Sequence, residues 1–114
     1  MDLGFFTMPI HPPARSVTET LKEDREFALF ADELGFTEGL FGEHITDAAE
    51  TITSGLIFIA WILQETKNIK LGTGETLLGM HEPGTIWRTG WRRWIIWRAG
   101  GSSGASGWAA SRPT

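Results

Sequence analysis

Glu43 and His44 stand side by side at the end of the apolar run Phe36–Phe41, and Thr73-Gly74 close the run that starts at Ile69. An imidazole titrates near physiological pH, so His44 is a candidate to hydrogen-bond a reacting group or to move a proton, and an adjacent carboxylate is the usual means of orienting it. Each residue also has a plainer reading: His44 as a loop histidine bonded locally, Glu43 as a solvated charge at a strand end. His11, in the loop His11-Pro12-Pro13, reads as a surface histidine, and Gly72-x-Gly74 is too little to make a phosphate loop. The chain has no cysteine, which excludes disulfides, thiolate metal sites and a cysteine nucleophile; no metal site is expected.

Positioning these residues requires strands and helices in alternation. Leu3–Thr7 is a short apolar run ended by Met8-Pro9, the pattern of a buried strand running into a loop. Ser16-Val17-Thr18-Glu19 has the spacing of a capping box, so a helix is predicted over 16–34, with Gly35 as its left-handed stop. Its apolar face is expected to comprise Val17, Leu21, Ala28 and Ala31, flanked by Phe27, Phe30 and Leu34. Phe36–Phe41 reads as a second strand, and Thr46–Glu50 as a polar loop. Thr53 or Ser54 caps a second helix, predicted over 54–66, whose nearly all-apolar surface implies deep burial. Lys67-Asn68 turns the chain into a third strand over 69–74. The result is β-α-β-α-β with parallel pairing, and ligand groups in such folds gather at the C-terminal strand ends, here Thr7-Met8, Glu43-His44 and Thr73-Gly74. Periodicity alone does not choose between a doubly wound sheet and a barrel.

A seam divides the chain. Residues 1–84 hold all 14 acidic residues and five of the ten basic ones, a formal charge of −9; residues 85–114 hold five arginines and no acid, +5. The same last thirty residues carry five of the six tryptophans and no Leu, Val or Phe. Two domains are therefore expected, 1–84 ordered and 85–114 poorly ordered. No basic leader opens the chain, and the run Ile52–Leu63 falls short of the roughly twenty residues that span a bilayer, so a cytoplasmic protein is expected.

Taken together, LGFFTMPIHPP, ADELGFTEGLFGEH, ITSGLIF and NIKLGTG resemble the luciferase-like flavin-dependent monooxygenases, in particular the limonene-monooxygenase-like branch. The resemblance covers roughly residues 1–83. It implies an α/β fold, the N-terminal βαβαβ portion of a (β/α)8 TIM-type barrel, incomplete at 114 residues because such barrels need roughly 250. It also implies reduced FMN supplied by a separate flavin reductase, with molecular oxygen and a small organic substrate; sister branches use a deazaflavin instead. Carried over residue by residue, the resemblance makes Glu43 and His44 the flavin-facing catalytic pair and Thr73 and Gly74 the cofactor-binding strand end. Glu82 departs from the His-His-Pro element usual near His81, and Glu75–Gly79 departs from the asparagine-bearing loop expected there.

Beyond Pro83 the family pattern, an Ala-x-Leu-Asp-x-Leu…Gly-Arg helix and a fourth strand, is missing. Reading from the third base of each codon turns every TGG tryptophan into Leu, Met or Val. It also forces alanine at Arg88, Arg92 and Arg98 when these use CGN codons, aspartate at Ile95 and glycine at Ala109. With the free bases chosen sympathetically, Trp91 to Thr114 becomes LAALDHLAGGRLIWGIGLGGLPTD, which resembles the missing segment. The expectation is that residues from about 85 onward are translated out of frame and that the 114-residue chain is inactive. The competing account keeps the tail as a cationic Trp/Arg helix for membrane or nucleic acid, on a non-enzymatic module that self-associates as a homo-oligomer through open sheet edges. Gly100–Gly107 reads as flexible linker in either case.

Overall fold

The computed structural model describes residues 1–77; the Trp/Arg tail and His81 lie outside them. Three four-residue strands, β1 (Gly4–Thr7), β2 (Glu38–Phe41) and β3 (Lys70–Thr73), alternate with helices α1 (Val17–Glu33) and α2 (Gly55–Leu63). The sheet order is β1-β2-β3 with both pairs parallel. The register aligns Phe5, Gly39 and Leu71 in one row, Phe6, Leu40 and Gly72 in the next, and Thr7, Phe41 and Thr73 in the last. Predicted β-α-β-α-β is thus present, each element somewhat shorter than its sequence pattern.

Side chains alternate across the sheet, and both helices cover the same face. Phe5 meets Phe27 of α1 edge to face at 5.1 Å between centroids, Phe41 lies 5.6 Å from Phe5, and Phe58 of α2 lies 5.0 Å from Phe41. Each such pair adds about 0.5–1.5 kcal/mol beyond area burial. Gly39 makes this row possible, since a Cβ there would stand 2.7 Å from Phe5 Cζ. The core also takes in Ala28, Ala31, Ile52, Ile59, Ile62 and Ile69. The opposite face is open among the described residues: Phe6 is 55% exposed and Leu40 is exposed beside it. The sequential strand order is common to barrels and to the first half of a doubly wound sheet, so topology by itself does not choose between them.

Several expectations are corrected. Ser16 occupies the N-cap position of α1, but its hydroxyl caps nothing; the first turn is closed by the backbone bond from Thr20 N–H to Ser16 O. The buried face of α1 is Thr20, Asp24, Ala28, Ala31 and Asp32, whereas Val17, Phe27, Phe30 and Leu34 are exposed. Three polar residues lie on that stripe because each has a partner across the helix, as described below. Helix α2 is not buried all round: Phe58, Ile59 and Ile62 face the core while Ile57 and Trp61 stay exposed, because the helix has the sheet on one side only. Trp61 is partly roofed by the Arg25 guanidinium, 5.7 Å from its ring and itself paired with Glu65. Gly35 does take the left-handed conformation, φ 84°, that ends α1.

Asp32, at the C-terminal end of α1, organises the turn into β3. Its carboxylate accepts from the backbone N–H groups of Lys67 (2.5 Å), Asn68 (2.9 Å) and Ile69 (2.7 Å). A helix thereby fixes where the third strand begins, which in turn sets where Thr73 and Gly74 end.

Candidate active site

The C-terminal ends of the three strands are brought into line by the parallel register. Gly42 N–H donates to Thr7 O (3.0 Å) and Gly74 N–H to Phe41 O (2.9 Å), continuing the ladder past the strand ends. Glu43 and His44 therefore emerge between Met8 on one side and Gly74 on the other. Met8 packs against Gly42 so closely that a Cβ there would collide with its side chain.

Glu43 is 1% exposed. One carboxylate oxygen accepts from Gly55 N–H (3.0 Å), the first residue of α2, and the other from Leu77 N–H (2.9 Å), in the segment after β3. A buried anion at a helix start satisfies a backbone donor with no partner inside the helix and is favoured by the helix dipole. The solvated-charge reading of Glu43 is thus corrected: it ties α2 to the segment that follows β3.

His44 is part exposed. Its Nε2 lies 3.3 Å from the Thr46 hydroxyl, and its Nδ1 lies 3.8 Å from a Glu50 carboxylate oxygen. Glu50 is the carboxylate beside the imidazole that the sequence did not single out. It arrives there because the loop doubles back: His44 N–H donates to Ile52 O (3.1 Å), Ala49 N–H donates to Asp47 Oδ1 (2.8 Å), and Glu50 pairs with Ile10 in an antiparallel bridge.

His11 also departs from expectation. Its side chain is only 13% exposed, and Nε2 lies 2.9 Å from Asp24 Oδ1 on the buried face of α1. Burial pushes the Asp24 carboxyl above the usual aspartate range, and the His11 contact works in the opposite direction. The other Asp24 oxygen is buried with no hydrogen-bond partner among the described residues. The sequence signal for this pair is the spacing of Thr20, Asp24, Ala28 and Ala31, which puts a carboxylate in line with core alanines.

Thr73 and Gly74 close the group. The Thr73 methyl would lie 3.3 Å from a Cβ at Gly55, so the strand end packs on the start of α2. At Gly74 a Cβ would collide with the Phe6 ring and meet Leu40 Cβ at 3.4 Å; at Gly72 it would meet Leu40 Cδ2 at 3.0 Å. Phe6 and Leu40 fill the space that side chains at the two glycines would take. No group of His, Asp or Glu among the described residues is arranged to hold a metal ion.

The profile of the luciferase-like monooxygenase family matches residues 1–92. The chain belongs to that family. Similar proteins include 4-hydroxyprotoasukamycin monooxygenase of Streptomyces nodosus subsp. asukaensis, 36% identical over 83 residues, or 73% of this chain and 22% of that protein. Limonene 1,2-monooxygenase of Rhodococcus erythropolis is 35% identical over 83 residues, 73% of this chain and 21% of that protein. Among solved structures, the oxygenating constituent of 3,6-diketocamphane monooxygenase from Pseudomonas putida, in complex with FMN, superposes with a TM-score of 0.70 at 29% identity, covering 75% of this chain and 24% of that one. The chain thus spans between a fifth and a quarter of the length of these luciferase-like relatives. The βαβαβ unit is a partial TIM-type barrel, and the open face of Phe6 and Leu40 is the one such a barrel turns inward.

Proposed function

We propose that the luciferase-like protein to which this chain corresponds is a flavin-dependent monooxygenase that uses reduced FMN, delivered by a separate reductase, on a small organic substrate in the cytoplasm. Bound FMN would supply the two electrons with which molecular oxygen is split, one oxygen atom passing to the substrate and the other leaving as water. The observation that carries this reading is membership of the luciferase-like monooxygenase family, joined to an exposed apolar strip on the open face of the sheet. Phe6 and Leu40 lie over the positions where Gly72 and Gly74 lack side chains and present the surface on which a flat ring would rest, with the part-exposed His44 imidazole at the neighbouring strand end. Gly74 and the Thr73 backbone would contact the ring while the Thr73 methyl packs on the start of α2, and His44 would hold or pass a proton beside it. Glu43 would serve from behind, by fixing the segment after β3 through Leu77. The ring is what these residues fit. Arg15, the arginine of the loop after β1, is paired bidentately with Glu23 at the surface.

Adding FMN to the isotopically labelled 114-residue chain is expected to move the His44 ring signals and the Gly72 and Gly74 amides before any others. A response confined to the N-terminal strand ends, Gly4, Glu38 and Lys70, would overturn the placement.

The segment after the seam at 84/85 is proposed to be an out-of-frame translation, supported by its composition and by the aspartate that the shifted frame forces at Ile95. Coding DNA is expected to carry CGN codons at Arg88, Arg92 and Arg98. AGA or AGG codons there would remove the forced alanines, and the idea with them.

A further inference from the structure

Helix α1 reaches the loops around His44 through two polar contacts. Thr20 Oγ1 lies 3.4 Å from Thr51 Oγ1, and Asp24 Oδ1 lies 2.9 Å from His11 Nε2. The second is the costly one. Asp24 is more than nine-tenths buried, and one of its oxygens has no partner among the described residues. A carboxylate half-satisfied in a buried position costs free energy that an apolar residue in line with Ala28 and Ala31 would not.

What that carboxylate holds is the loop after β1. His11 N–H donates to Ala49 O (2.8 Å), and Ile10 is bridged to Glu50 in antiparallel fashion. Glu50 is the residue whose carboxylate stands 3.8 Å from His44 Nδ1. The contacts form one continuous path: Asp24 on a rigid helix, the His11 ring, the His11–Ala49 and Ile10–Glu50 backbone pairing, the Glu50 carboxylate, the His44 imidazole. Asp47 faces the same loop through its bond to Ala49 N–H, and Thr46 faces His44 Nε2.

We propose that the His11–Asp24 pair is a positioning device that sets the orientation of the His44 ring through the Ile10–Glu50 bridge. The inference rests on the reading of His44 as the flavin-side residue for its functional meaning, though not for its geometry. A carboxylate accepting from Nε2 fixes the His11 proton on that nitrogen and holds the ring in one place. Because Glu50 touches His44 only through its flexible side chain, where that side chain points depends on how its backbone is anchored.

The test reads the His44 ring directly, by 15N-detected imidazole signals of the 114-residue chain. His11→Gln retains an N–H donor for Asp24 and is expected to reproduce the wild-type His44 signals. His11→Phe keeps a ring but has no donor, and is expected to shift the His44 ring resonances and the Glu50 amide by more than a line width while the Phe5, Gly39 and Leu71 amides stay in place. Asp24→Leu breaks the same bond from the other side with an apolar residue suited to the helix face, and is expected to give the same pattern. Superimposable His44 signals in the two folded variants would overturn the proposal. Unfolding of both would overturn it too, because the pair would then be holding the fold and not aiming His44. FMN added to each sample keeps the two ideas separable. Should His44 answer to FMN and not to His11→Phe, the positioning role fails while the flavin site stands; an answer to His11→Phe without one to FMN keeps the positioning role, because that readout needs no bound flavin.

Discussion

Asp32→Ala is expected to destabilise the chain by about 3–5 kcal/mol, enough to leave much of it unfolded, since single domains are stable by only about 5–15 kcal/mol. The substitution strips three consecutive backbone N–H groups, those of Lys67, Asn68 and Ile69, of a charged acceptor. Hydrogen bonds to charged groups contribute roughly 1.5–3 kcal/mol each, and a buried donor left unsatisfied costs roughly 1–3 kcal/mol. Ile69 is fully buried, so its N–H has no ready replacement by water, while those of Lys67 and Asn68, only part-buried, recover part of the loss from solvent. Asp32→Asn, which retains one carbonyl oxygen and loses the charge, should fall between the two. Urea unfolding followed by tryptophan fluorescence and by far-ultraviolet circular dichroism measures the difference. A midpoint for Asp32→Ala within error of the wild type would show that α1 does not hold the start of β3 in the way described.

Flavin affinity is the second large effect. The 114-residue chain is expected to bind FMN with a Kd on the order of 1 mM or weaker, which corresponds to about −4 kcal/mol. A flat ring resting on Phe6 and Leu40 gains apolar contact on one side only, because that face is open among the described residues. In closed barrels the phosphate is commonly held by loops after strands seven and eight and by a helix N-terminus, and such charge-assisted bonds are roughly twice as strong as neutral ones. Two or three of them account for about 4 kcal/mol, a factor of about a thousand in affinity. Titration monitored by flavin fluorescence checks this, and saturation at micromolar FMN would show that residues at the first three strands suffice.

Much of the architecture was legible in the residue pattern. Short apolar runs bounded by Met8-Pro9, Gly35 and Lys67-Asn68 give three strands and two helices in the observed order, because breakers and backbone conformation act locally. Thr7, Glu43, His44, Thr73 and Gly74 fall together for the same reason: parallel strands of equal length put their C-terminal ends on one edge whatever packs behind them. Family membership was legible too, since ordered motifs spread over some eighty residues survive where no single one is diagnostic.

Partners were not legible. Asp24 and Asp32 look in sequence like the charged side of an amphipathic helix, yet both are buried, because the groups they bind come from residues 13 and 35 or more positions away in the chain. Glu43 next to His44 invited a carboxylate–imidazole pair, but the alternation of β2 carries on past its end, so neighbours turn apart; Glu43 goes to the helix side, to Gly55 and Leu77, and the carboxylate beside His44 comes from Glu50 after the loop folds back. Ile57 and Trp61 read as core by hydropathy and are exposed, since burial requires something on the other side. Local periodicity, capping and breakers sufficed to set the order of elements and the edge where the site lies, while which carboxylate meets which histidine or backbone donor depended on contacts between distant segments, and those exist only once the sheet and its helices have packed.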